Sequence, residues 1–237
     1  MLGIHGLSDI KKRTDGRYWS HIHKFGSTSA GGTGSIWSYG GLYPWSALDN
    51  PQTLYVSSTV GDGDDGSVEL QGLDENWNLL TETVSLSGSP SETTTTNTFR
   101  RIFRMRYSAT NVGSITARTV SHAGTVVAEI EPTKSQTLMA VYTVPAGRSG
   151  YLLNYTAGVG KGDDTNIELF IREKQTEAFR IKSEATLFQN YHRQEFSIPL
   201  ELPPKSDIDF RSTASGGAGN SICTLNFDLV LHQWDRS

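Results

Sequence analysis

From Leu54 onward, apolar and polar residues alternate with a period of two, which restricts the chain to strands with one buried face. Ile167, Leu169 and Ile171 alternate with Glu168, Phe170 and Arg172, and Ile208 and Phe210 alternate with Asp207, Asp209 and Arg211. Cys223, Leu225, Phe227, Leu229 and Leu231 share one face, against Thr224, Asn226, Asp228 and His232 on the other. Further strands are expected over 66–72, 79–87, 99–108, 114–120, 125–130, 137–144, 149–158 and 195–200, while 174–191 reads equally as a short helix or a loop. Many short strands separated by Gly, Pro, Asn and Asp indicate a sandwich or barrel. The expected fold class is all-β: a jelly-roll-like β-sandwich over 54–234, either undivided or in two related halves, 54–135 and 136–234.

An internal echo bears on that choice. The stretch from Val60 to Leu70 aligns without gaps on the stretch from Val159 to Leu169, each a glycine-aspartate loop feeding an alternating strand. The offset is about the size of a small β-domain. A duplicated half and two corresponding corners of one sandwich would each produce it.

Residues 1–53 differ in character. They carry Trp19, Trp37 and Trp45 with Tyr18, Phe25, Tyr39 and Tyr43, and the glycines of Ser27–Gly41 exclude a stable helix. This region is expected to be an extended N-terminal arm whose rings either lie along a neighbouring protein or cover one end of the chain's own sandwich.

The single cysteine, Cys223, excludes an intramolecular disulfide and a cysteine-rich metal site. A net charge of -4 gives no general basic surface, so nucleic acid is not an expected partner. No secretory signal and no apolar run near the ~20 residues of a membrane span is visible, so synthesis in the cytoplasm without membrane insertion is expected.

The chemistry-bearing motifs are sparse. Gly61-Asp62-Gly63-Asp64-Asp65-Gly66 satisfies G-x-G-x-x-G, but a strand and not a helix follows, and three aspartates would repel a phosphate. Asp62, Asp64, Asp65, Asp163 and Asp164 have the chemistry for calcium without EF-hand spacing, and aspartate also dominates ordinary turns. His21 and His23 would point the same way from a strand, with no further zinc ligands nearby. No serine-nucleophile elbow and no P-loop occurs, and Cys223 reads as a small core hydrophobe. No catalytic residue, cofactor or metal site is assigned, and the chain is not expected to be an enzyme.

The sharpest charge feature is the run from Phe99 to Tyr107. Phe99, Phe103, Met105 and Tyr107 form its apolar side, interrupted by Arg101, while Arg100, Arg104 and Arg106 form a basic row. Such a row either meets carboxylates across an interface or lies as a solvated face with arginine stems over apolar surface.

Several segments together resemble a family of structural proteins of tailed bacteriophages, of marine and cyanophage type. They are Gly72-Leu73-Asp74-Glu75-Asn76-Trp77, Thr81–Leu86, Gln136–Gly147 and Ile198–Ile208. The resemblance spans roughly residues 54–231 and rests on strand-and-turn patterns. It implies a β-sandwich component of the virion with no catalytic residues to carry over. The expected role is capsid decoration by a homo-oligomer, a trimer, that contacts the major capsid protein. Alternatives are a neck, tail or baseplate component and a carbohydrate-binding module on a fibre, whose exposed tryptophans would stack on sugars. The residues expected at the interface are Trp19, Trp37, Tyr39, Tyr43, Trp45, Arg100, Arg104 and Arg106.

Overall fold

A computed structural model describes residues 18–29, 33–60, 63–87, 91–160, 162–217 and 222–233. Residues 1–17, among them His5, and the motif residues Gly31, Gly32, Gly61, Asp62 and Lys161 lie outside the described residues. The strands are β1 Tyr18–Ser29, β2 Gly34–Ser35, β3 Leu54–Ser58, β4 Ser67–Leu73, β5 Leu79–Ser85, β6 Glu92–Thr94, β7 Arg101–Tyr107 and β8 Ile115–Thr119. They continue with β9 Val126–Ile130, β10 Val141–Thr143, β11 Arg148–Val159, β12 Asp163–Arg172, β13 Arg180–Phe188, β14 Tyr191–Leu202, β15 Asp207–Gly217 and β16 Ile222–Gln233. One 3-10 turn, Trp45–Leu48, precedes β3. The fold is all-β, as the alternation requires.

The strands form two sandwiches. In the second, the sheets run β1-β16-β11-β14 and β10-β15-β12-β13, with β2 also on β15. Its eight long-range strands pair as nested hairpins: β1 with β16, β10 with β15, β11 with β14 and β12 with β13. Wrapping that nest into two sheets is the jelly-roll order. The first sandwich has sheets β6-β3-β8-β9 and β5-β4-β7. Strands β3 to β8 repeat the pairing of β11 to β16, and β9 occupies beside β8 the place that β1 occupies beside β16. The first sandwich is therefore inserted between β1, with the short β2, and β10 of the second.

The internal echo lands on equivalent positions. Val68 and Leu70 of β4 and Ile167 and Leu169 of β12 are all fully buried, each on the central strand of its half. Asp64 and Asp163, which align, are buried as well. Asp64 accepts hydrogen bonds from Ser58 Oγ (2.7 Å), Val112 N (2.7 Å) and Gly113 N (3.0 Å). Its carboxylate thus ties two loops together and is not left open to an ion.

Two segments depart from the sequence expectation. Residues 18–53 are not a separate arm, because β1 pairs with β16 along its whole length, from Tyr18 opposite Gln233 to Ser29 opposite Ile222. Its period was hidden because the core side carries Ile22, Lys24 and Gly26 while Trp19, His21, His23 and Phe25 face outward. Gly26 is required there: a Cβ would lie 2.4 Å from the Ile36 carbonyl and 2.5 Å from Ala140 N. The ambiguous stretch 174–191 is a short turn followed by β13, whose irregular register against β12 blurs its alternation.

Strand β7 lies between the two cores. Its register against β4 slips between Gln71 and Gly72, so Gly72 faces Ile102 and Gln71 faces Arg104, with Phe103 the extra residue. The extra residue shifts the phase of the alternation, so that Ile102 and Met105, three positions apart, share a face. Ile102 enters the first core with Phe99 and Met105, and Phe103 enters the second against Tyr142, ring centroids 4.7 Å apart.

Candidate functional site

The eight residues expected at an interface divide sharply. Trp37, Tyr43 and Trp45 are buried, which corrects their assignment to a partner surface. They form an edge-to-face chain, Trp37 to Tyr43 at 5.1 Å and Tyr43 to Trp45 at 4.8 Å, and Trp45 continues to Phe179 at 5.5 Å. Their polar tips are satisfied internally: Trp37 Nε1 donates to the Gly41 carbonyl, Tyr43 OH to the Ile102 carbonyl and Trp45 Nε1 to Asp209 Oδ2. Rings with both body and tip engaged serve as packing. Tyr39 is half exposed, and Trp19 is partly covered by stacking on His232 at 4.2 Å.

The basic row is likewise broken up. Arg100 lies over Trp77 and donates to the carbonyls of Asp49 and Glu75. Arg104 donates to the His23 carbonyl at 3.2 Å and lies over Phe25. Only Arg106 keeps an exposed side chain, 3.9 Å from Glu69. Arg101, which interrupts the apolar side in sequence, is the buried member. Its Nε meets Asp207 Oδ1 at 3.1 Å, and Asp207 also receives Arg172 Nη2 at 2.6 Å and Thr143 Oγ1 at 2.6 Å. Arg101 belongs to the first sandwich and Asp207, Arg172 and Thr143 to the second, so this network fastens the two together. Beside it, burial pushes the Asp209 carboxyl upward, against the opposing pull of Arg211 at 2.9 Å and the Ser35 and Trp45 hydrogen bonds.

Other motif residues are placed as follows. His21 Nε2 and His23 Nδ1 both lie on Asp228 Oδ1, at 2.8 and 2.9 Å. Among the described residues no group of three or more His, Cys, Asp or Glu is arranged to hold a metal. Cys223 is fully buried and its thiol is pushed up to about 12 by that burial, leaving it a core side chain. Trp77 is buried with Trp37 and Trp45, so among the described tryptophans only Trp19 keeps partial exposure for stacking on a sugar.

The surface that sequence reasoning missed is the edge formed by β13 and β14. These strands end the two sheets of the second sandwich side by side. Most of their residues are exposed, including Ile181, Phe188, Tyr191 and Ile198, the last at 85%. Long edge strands with apolar side chains are templates for further pairing unless something covers or blunts them. Blunting is partial here: residues 196–199 bulge between the Glu195–Asn154 and Leu200–Leu152 pairs, with Pro199 on the bulge.

The charges of this edge follow a pattern. Arg193 and Glu195 flank Gln194 on β14, and Lys182 and Glu184 flank Ser183 on β13. Tyr155 pairs with Gln194 in β11·β14, and its hydroxyl meets Ser183 Oγ at 3.0 Å. Gln194 and Ser183 therefore lie opposite one another across the sandwich. Within one copy Arg193 Nη2 meets Glu195 Oε1 at 2.6 Å and Lys182 Nζ meets Glu173 Oε1 at 3.3 Å; a twofold axis through Gln194 and Ser183 would in addition set Arg193 against Glu195 and Lys182 against Glu184 of a second copy. Glu184, opposite the like charge of Glu168 in β12·β13, would gain a cation on its free side.

No protein-family model matches the chain, and no curated protein matches it. Among solved structures, a chain of broad bean stain virus is 11% identical, with 79% of this chain and 86% of that chain covered, at a TM-score of 0.19. A chain of infectious bursal disease virus, Gx strain, is 10% identical, with 92% and 77% covered, at 0.23. Likeness at this level establishes no shared fold.

Proposed function

We propose that the chain is a non-enzymatic structural component of a virus particle, a decoration protein of a tailed-phage head, that works by packing against copies of itself and against other virion proteins. The observation that carries the reading is the open β13/β14 edge, long, apolar in part and self-complementary in charge. A protein acting alone in solution gains nothing from such an edge, whereas an assembling one uses it. The tandem jelly-roll order fits the same role, since that sandwich serves in capsid domains among others, although fold by itself assigns no function. The charge pattern favours a twofold contact, in which the same patch serves both copies; the trimer expected from the sequence would need a heterologous one.

Immunogold labelling of intact particles, with a count of copies per particle, tests this. Label over the whole head supports decoration. Label confined to one vertex or the tail moves the chain to the neck, tail or baseplate, and particles without label remove the virion role.

A further inference from the structure

A second feature lies at the opposite edge of the same sandwich, where β1 meets β7. A cleft of about 110 Å³ opens there, lined by Lys24, His23, Gln71, Phe103, Arg104 and Tyr142 among others. Lys24 is almost wholly buried, and its hydrogen bond goes to the Phe103 backbone carbonyl. Among the described residues no carboxylate pairs with it. Arg104 is its charged neighbour and donates to the His23 carbonyl. Of the acids near by, Asp228 is taken by His21 and His23, while Glu69, whose charge acts on Arg104, accepts from Gln71 Nε2 and lies 3.9 Å from Arg106. Tyr142 is 1% exposed, and its buried hydroxyl has no hydrogen-bond partner among the described residues.

The cleft therefore gathers an ammonium, a guanidinium and a phenol, donors all, with no carboxylate among the residues that line it. A buried cation left unpaired is costly, and two close cations more so. The cost is visible in Lys24, which burial and then the Arg104 charge hold well below the ordinary lysine range. What would complete the set is a planar, singly charged acceptor with two oxygens, one for the ammonium and one for the guanidinium.

We propose that this cleft binds a carboxylate, held between Lys24 and Arg104 with Tyr142 as a third donor. The group comes either from a small free acid or from an acidic side chain of a protein partner. The inference rests on the cleft alone and holds whether or not the chain belongs to a virion.

The test uses the whole chain with isotope-labelled lysine, followed by NMR while sodium acetate replaces sodium chloride at constant ionic strength. Lys24 is expected to shift saturably with acetate and not with chloride, and to titrate at higher pH when acetate is bound. Arg104→Gln should weaken acetate about tenfold or more, the loss of one charge-assisted contact. In Lys24→Met, checked for folding by circular dichroism, the acetate-dependent rise in Tm should vanish. If that variant does not fold, the wild-type titration and Arg104→Gln decide. The blocked peptide acetyl-Gly-Glu-Gly-amide separates the sources: binding within about tenfold of acetate means a protein side chain can enter, and binding of acetate alone means a free acid. Either supports the site. No saturable shift with acetate or peptide, or a shift that Arg104→Gln leaves unchanged, overturns it.

Discussion

Arg101 and Asp207 stand on different sandwiches and meet in a buried ion pair, Nε to Oδ1 at 3.1 Å, with both side chains closed to solvent. Each also holds further partners, Asp49 on the arginine and Arg172 and Thr143 on the aspartate, so the pair is the centre of the junction between the two jelly rolls. Removing Asp207 leaves two buried arginines with only the partly exposed Asp49 between them, whereas removing Arg101 leaves Asp207 to Arg172 and Thr143. Asp207→Asn is expected to destabilise the protein by about 3–5 kcal/mol in urea unfolding, with a smaller loss for Arg101→Met. A double-mutant cycle should show a coupling above about 1 kcal/mol. Additive losses would mean that the two residues do not act as a pair.

The aromatic chain gives a second expectation. Trp45→Ala removes a buried ring and should cost about 3–5 kcal/mol, whereas Tyr39→Ala, half exposed, should stay within about 0.5 kcal/mol. Thermal unfolding of both variants measures the contrast. Similar small effects from both would place Trp45 on the surface.

Charge reversal tests the open edge. Arg193→Glu or Glu195→Arg alone should weaken self-association about tenfold, because each sets like charges opposite one another in the twofold contact. The double exchange, Arg193→Glu with Glu195→Arg, should restore it. Sedimentation velocity over a concentration series reads the outcome. Single reversals without effect on association would remove a second copy as the occupant of this edge.

Acid sensitivity should trace to Asp228. Its burial alone would raise the carboxyl, but the hydrogen bonds from His23 and His21 outweigh that and hold it below the usual range. A carboxyl depressed in the folded state binds fewer protons than in the unfolded chain. Its stabilising contribution is therefore present above the unfolded value of about 4 and is lost as pH falls through the folded value. The stability advantage of the wild type over Asp228→Asn, measured by denaturant unfolding, should shrink as pH drops from 6 towards about 3. An advantage that stays constant over that range would exclude the linkage.

The strand content and most of the core followed from local pattern. Val68, Leu70, Ile167, Leu169 and Phe227 alternate with polar neighbours, and burying one face of a period-two strand needs no knowledge of its partner. The echo of Val60–Leu70 in Val159–Leu169 likewise marked equivalent central strands, because like loops and like faces are written locally. Partner identity was not legible. The pairing of β1 with β16 joins residues from near opposite ends of the chain, and no local signal distinguishes such a strand from a free arm. Gly26 and Lys24 on its inner face hid its period.

The same limit governs the candidate sites. An arginine row can be read from Arg100, Arg104 and Arg106, but whether each faces solvent depends on which carbonyls and rings the fold brings over it. Trp37 and Trp45 looked like contact residues because large rings suit interfaces and cores equally, and only tertiary packing separates the two. The edge of β13 and β14 stayed hidden for the converse reason: an edge is defined by the strand that is missing beside it. Alternation, turn chemistry and repeat were determined by the sequence itself, since they act between near neighbours. Which strands became edges, which charges were buried and where Lys24 and Arg104 met were decided only when distant segments closed on one another.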